Sequence, residues 1–193
     1  MDELNKDFWT ERYQNQQIGW DIGHVSPALE KYFLQLNDKN ISILIPGAGN
    51  SYEAEYLHKN GFNNATIIDW AASPIEDFKS RNPSFPEEKC LQVDFFEVEG
   101  KYDLIIEQTF FCALPPARRE DYVRKMNSLL TSSGKLVGVL FNRDFEGGPP
   151  FGGSKREYLP LFSPYFEVSI LEKCYNSIPS RAGTELFMIM KNK

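Results

Sequence analysis

Fifteen consecutive residues, Ile43 to Leu57, read ILIPGAGNSYEAEYL and constrain this chain more than any other stretch. An apolar run, Ile41–Ile45, stops at Pro46, a glycine pair follows at Gly47 and Gly49, and a helical pattern then covers Tyr52–Lys59. Strand, tight turn and helix start in that order are the opening unit of a nucleotide-binding α/β sheet. The third glycine of the dinucleotide fingerprint is absent, because Tyr52 stands three residues after Gly49. A pyrophosphate needs backbone close to it at the helix N-terminus, hence the full glycine set, whereas a nucleoside without phosphates does not. A turn that merely favours glycine is the plainer reading of the pair alone.

The rest of the chain continues the pattern. Strand-like runs fall at Thr66–Asp69, Leu91–Val93, Leu104–Ile106, Lys135–Phe141, Phe166–Leu171 and Leu186–Met190. Helical patterns cover Pro74–Ser80 and Arg118–Leu130, and a further helix is expected at Ser154–Phe162. Alternation of this kind predicts a parallel, doubly wound sheet. Between the last two runs there is only CYNSIPSRAGTE, with no helix, so an antiparallel pair is expected at the end. Ahead of the first strand, Leu4–Asn15 and Pro27–Leu36 read as helices with no strand to serve, placed to cover the sheet or cap a pocket. With no linker or repeat in view, 1–193 reads as one domain, a helical cap over 1–38 and a core over 39–193.

Composition narrows the function. The formal charge of -6 speaks against nucleic acid or an anionic membrane as a partner, since both call for a basic footprint. No stretch approaches the ~20 apolar residues of a membrane span, and MDELNKDFWTERY has no signal-like apolar region. Three cysteines at wide spacing, Cys90, Cys112 and Cys174, suit reduced thiols in a cytoplasm, and with only two histidines no metal site is expected. With no spare apolar stripe evident, a monomer is expected.

In an open α/β sheet the ligand lies beyond the carboxyl ends of the strands. Asp69 ends the second strand run twenty residues after Gly49, where an acid can accept from both hydroxyls of a ribose. In QVDFF, Asp94 with Phe95 ends the third run, suited to an adenine amino group and ring face, with a turn cap as the alternative for Asp94. The fourth run, YDLIIEQTFFCAL, ends in polar Glu107 and Gln108 and then Phe110 and Phe111, each of which singly suits the core. A glycine turn, a ribose acid and an adenine acid without a phosphate cradle together favour S-adenosyl-L-methionine, with S-adenosyl-L-homocysteine as the product.

GWDIGHVSP, LIPGAGNSYE, FFCALPPARREDYVRKM, FEGGPPFGGSKREY and NSIPSRAGTELF carry a resemblance over nearly the whole chain. The sequence resembles the thiopurine S-methyltransferase superfamily of class I adenosylmethionine-dependent methyltransferases, in particular the branch of plant thiol and halide methyltransferases and their bacterial relatives. That resemblance implies a Rossmann-like fold, with a mostly parallel seven-stranded sheet, an antiparallel last strand and N-terminal helices capping the cofactor. It implies cofactor roles for Trp9, Tyr13, Trp20, Gly47, Asp69, Asp94, Phe95 and Gln108, beside Gly49 of the same turn. Tyr13 stands where plant members have tryptophan, Gln108 where they have tyrosine, and Ala48 where cysteine is common. A tyrosine proposed to touch substrate in plant members aligns with Phe141, which has no hydroxyl and leaves packing as its role.

Methyl transfer from a sulfonium is an in-line displacement, and an ionised soft nucleophile needs no strong base. The expected acceptor is therefore small and soft: a thiol, hydrosulfide, thiocyanate, halide or thiopurine-like group. Candidates for its pocket are Asp21, Phe110, Phe111, Phe141, Arg143 and Phe151, with a wall from Phe145 to Phe151 along the GGPP loop. Asp21 or Glu107 is a candidate proton acceptor, and Arg181 either reaches the site or solvates a loop. Trp9 and Tyr13, at i and i+4, share a helix face that either packs on the sheet or closes as a lid. The rival readings are an NAD-linked oxidoreductase, a cofactor-binding fold with altered or no turnover, and a methyltransferase for O or N acceptors.

Overall fold

The structure, a computed structural model, describes residues 4–193. The first three residues of the expected 1–38 cap lie outside the described residues. The strands are β1 (Ile43–Pro46), β2 (Ala65–Asp69), β3 (Cys90–Gln92), β4 (Tyr102–Gln108), β5 (Leu130–Phe141), β6 (Phe166–Lys173) and β7 (Glu185–Asn192). The α-helices are α1 (Lys6–Gln14), α2 (Pro27–Phe33), α3 (Tyr52–Lys59), α4 (Ala72–Arg81), α5 (Arg119–Leu129) and α6 (Lys155–Phe162).

One seven-stranded sheet runs β3-β2-β1-β4-β5-β7-β6. β1 pairs in parallel with β2 and β4, β2 with β3, and β4 with β5, while β7 runs antiparallel to both β5 and β6. The apolar central strands explain the layering. Every residue of β1 is buried, and Leu104 to Glu107 of β4 are buried in succession, so both sheet faces need a cover. On one face Leu44 and Ile105 meet Tyr122 and Phe162, and on the other Ile43 and Ile45 meet Leu57 and Phe78.

One boundary differs clearly from the sequence pattern. β5 begins at Leu130, directly after α5, where the pattern starts it at Lys135; the ladder to Tyr102, with a register shift before Leu104, extends it. The two N-terminal helices also differ from each other. α2 buries Ala28, Leu29, Tyr32 and Phe33, whereas α1 buries no residue at all. The second helix is part of the core, and the first rides over the carboxyl ends of the strands. No helix of the described residues is long and apolar enough to cross a membrane.

Candidate functional site

The cavity that gathers the sequence candidates opens at the carboxyl ends of β1 to β4. Its floor is the glycine turn. Gly47 and Gly49 both have left-handed backbone, at φ +57° and +51°. A Cβ on Gly47 would run into the Phe110 ring, and one on Gly49 would lie 2.7 Å from the Tyr13 hydroxyl. Glycine is therefore required twice, once for conformation and once for room. Ser51, also left-handed at φ 59°, turns the chain into α3. Tyr52, at the place of the missing glycine, sends its hydroxyl 3.4 Å from Asp21 Oδ2, with the Arg81 guanidinium 5.5 Å from its ring centre.

Asp69 ends β2 and lies under this turn. Its Oδ2 accepts from the Gly49 N–H at 2.9 Å and its Oδ1 from the Ala71 N–H at 2.9 Å. Burial pushes its carboxyl above the usual range, and these backbone donors pull it back. Each oxygen keeps a lone pair for a ligand hydroxyl. Asp94 caps the short 3-10 turn Phe95–Glu97, its Oδ1 accepting from the Phe96 N–H at 2.8 Å, and both it and Phe95 line the cavity. The cap and the adenine-side readings are compatible, because one carboxylate oxygen serves each.

Trp9, Tyr13 and Trp20 form the roof. Trp20 meets Trp9 and Tyr13 edge-on, with ring centres 5.6 Å and 5.7 Å apart, and all three line the cavity. With nothing of α1 buried, its aromatic face turns to the cavity and not into the sheet core. Two long-range contacts fasten this roof. Asp21 accepts from the Asn50 side-chain amide on the glycine turn, and Arg181 Nη2 donates to the Trp20 carbonyl at 2.7 Å. Arg181 also pairs with buried Glu185 at 3.5 Å and lies 5.4 Å over the Phe141 ring. Sequence reasoning left Arg181 between a site role and a loop role; the structure gives it a bracing one. Asp21 lines the cavity, with Oδ1 accepting from the Gly23 N–H at 2.6 Å and Oδ2 tied to Asn50 and Tyr52.

At the end of β4, Gln108 and Phe110 line the cavity, as expected. Phe111 does not. It is buried against Tyr122, Tyr158 and Phe162, because the 3-10 turn Phe111–Ala113 directs it beneath the sheet. Glu107 is not placed as a free proton acceptor either. It is wholly buried, with Oε1 accepting from the Phe110 and Phe111 N–H groups at 2.8 and 2.9 Å and Oε2 from the Tyr122 hydroxyl. Burial pushes its pKa up to about 7.

Three more candidates stand away from the cavity. Phe141 packs edge-on against Phe145 at 5.0 Å. Arg143 is exposed, its guanidinium 4.7 Å from the Phe145 ring centre. Phe151 anchors its loop by donating its N–H to the Cys112 carbonyl at 2.7 Å. The wall expected from Phe145 to Phe151 is instead made by Pro149 and Pro150, which line the cavity together with Cys112, Ala113 and Leu114. The sequence reading missed Asn50, Trp70 and Thr109 as lining residues. Thr109 carries a left-handed φ of 59°, a feature no residue pattern announces.

A doubly wound sheet with this terminal antiparallel strand, a phosphate-free glycine turn and acids at the ends of β2 and β3 defines a Rossmann-like adenosylmethionine-dependent methyltransferase. Solved structures agree on the fold. The 1,6-didemethyltoxoflavin-N1-methyltransferase of Burkholderia thailandensis, with bound S-adenosylhomocysteine, superimposes with a TM-score of 0.79 at 16% identity, covering 98% of this chain and 88% of that one. Magnesium protoporphyrin IX methyltransferase from Synechocystis PCC 6803, with bound SAM, gives 0.75 at 10% identity over the whole of both chains. The family model for Thiopurine S-methyltransferase (TPMT) matches residues 4–189, and the chain belongs to that family. Its relatives include the probable thiol methyltransferase 2 of Arabidopsis thaliana, 28% identical over 192 residues, 96% of this chain and 84% of that protein. The thiopurine S-methyltransferase of Psychrobacter cryohalolentis is 25% identical over 211 residues, 94% and 96% of the two chains.

Proposed function

We propose that this methyltransferase moves the methyl group of S-adenosyl-L-methionine to a small soft nucleophile: a thiol, hydrosulfide, thiocyanate, halide or thiopurine-like acceptor. The observation that carries this reading is the acceptor side of the cavity. Beside the acids Asp21, Glu53, Asp69 and Asp94, the lining includes Phe110, Cys112, Ala113, Leu114, Pro149 and Pro150, an uncharged stretch that we take as the acceptor side. An O or N acceptor calls for a base or an amine-binding acid there. The one carboxylate at the end of β4, Glu107, is turned inward and held there by three donors.

The cofactor residues are assigned in the same reading. Asp69 takes the ribose hydroxyls, Asp94 and Phe95 the adenine, and the Gly47–Gly49 turn the space between, with Gln108 on the β4 side. Trp9, Tyr13 and Trp20 close over it. The fit rests on the cavity these residues line together and on the left-handed glycine turn at Gly47 and Gly49 on its floor. Bound S-adenosylmethionine supplies an electrophilic methyl group on a sulfonium. The chain's part is to orient the nucleophile in line, where effective molarities reach about 10⁵–10⁸ M, and to exclude water. Aromatic faces from the roof can meet a cation at about 0.5–2 kcal/mol each without hydrating a thiolate. The chain is proposed to work as one domain, with α1 and the Trp20 segment as the cap, as a cytoplasmic monomer with reduced thiols.

The test is incubation with labelled S-adenosylmethionine and a panel of hydrosulfide, thiocyanate, iodide, an aryl thiol and a thiopurine, with Trp20→Ala as control. Methylated product from one class identifies the acceptor. Cofactor binding without product from any of them would overturn the soft-nucleophile reading and leave the fold and cofactor untouched.

A further inference from the structure

The acceptor-side wall is a loop, and one buried cation outside the cavity holds it. Arg119, at the start of α5, is 8% exposed. Its Nη2 donates to the Gly152 carbonyl at 2.6 Å, its Nη1 lies 3.8 Å from Glu157, and its guanidinium rests 4.9 Å from the Phe111 ring centre. Burying a guanidinium is costly unless such contacts offset the lost hydration. The same loop is pinned twice more, by the Phe151 N–H on the Cys112 carbonyl at 2.7 Å and the Gly153 N–H on the Arg143 carbonyl at 3.0 Å. A Cβ on Gly152 would strike the Arg143 carbonyl, so the backbone there is packed against itself. Between these pins Pro149 and Pro150 project to the cavity. The acids and glycines proposed for the cofactor sit instead at the ends of β1 to β3.

Resting on the soft-nucleophile reading, we infer that Arg119 is a positioning residue: it holds the Pro149–Pro150 wall and thereby sets which acceptor the cavity admits. A bulky apolar thiol touches that wall, whereas hydrosulfide is too small to need it. Lysine cannot replace the guanidinium, because a single ammonium does not reproduce the planar fork that lies on Phe111 and reaches Gly152 together.

The experiment compares wild type with Arg119→Lys and with Arg119→Met, which fills a similar volume without charge. Three quantities are read: the KM for an aryl thiol and for hydrosulfide, the Kd of S-adenosylhomocysteine by calorimetry, and hydrogen exchange at the Phe151 and Gly153 amides. The expected result in either variant that folds is an aryl-thiol KM raised about tenfold or more, hydrosulfide kinetics and the Kd within about threefold, and faster exchange at both amides. An equal loss for both thiols, or unchanged exchange at the two amides, would overturn the inference. If wild type methylates none of the thiols, the functional reading falls, and the exchange comparison still decides what Arg119 holds.

Discussion

The cofactor side and the acceptor side of the cavity are built in opposite ways. The floor of the proposed cofactor side is local: Gly47 and Gly49 follow β1, Asp69 ends β2 and Asp94 follows β3, and the partners of the two acids are mainly backbone N–H groups of nearby turns. The proposed acceptor side is assembled across the chain: Arg119 reaches Gly152, 33 positions on, and Phe151 reaches back to Cys112. A local site tolerates little change in its own residues, and an assembled one can be retuned from a distance. The first suits a constant cofactor and the second a variable acceptor.

If that contrast holds, the largest effects come from the local side. Gly47→Ala must move the Phe110 ring and hold alanine at positive φ, a strain on the order of 1–3 kcal/mol beside the clash. Calorimetry should show cofactor affinity reduced roughly a thousandfold, about 4 kcal/mol, and a lowered Tm; near-normal binding would break the comparison. Asp69→Ala removes the proposed ribose acid and the acceptor of two N–H groups. A loss of roughly a hundredfold in cofactor affinity, about 3 kcal/mol, is expected from the same titration.

Glu107 tests the assembled side through pH. Its folded pKa of about 7 lies above the ordinary 4.5, so the folded state binds this proton more tightly than the unfolded one. The stability it contributes is fully present below about pH 4.5 and is lost as pH rises through about 7. Urea titrations of Glu107→Gln across that window should therefore show a flatter pH dependence, by on the order of 3 kcal/mol. An unchanged slope would mean that another group dominates it.

The roof should respond less. Trp9→Ala is expected to weaken cofactor binding about tenfold while Tm moves by only about 2 °C, since α1 buries no residue. A large Tm loss with unchanged affinity would return α1 to a packing role. The smallest effect belongs to Arg143→Ala: exposed and outside the cavity, it should leave kcat/KM for every acceptor within about twofold. A tenfold loss would show that the loop carries the arginine into the site during turnover.

The sequence by itself determined the α/β order, the antiparallel end, the glycine turn without its phosphate cradle and the acids at the ends of β2 and β3. Each of these is written in short-range pattern: apolar runs of strand length, glycine where φ must be positive, a carboxylate at a fixed offset. Tertiary structure alone decided the rest. Phe110 and Phe111 are adjacent and alike, yet the 3-10 turn at Phe111 puts one ring in the cavity and the other in the core. Glu107 reads as a candidate proton acceptor until three donors close on it, and Arg181 reads as either a site or a loop residue until it meets the Trp20 carbonyl. Side-chain direction at a strand end follows from what packs beside it, and those neighbours are distant in sequence.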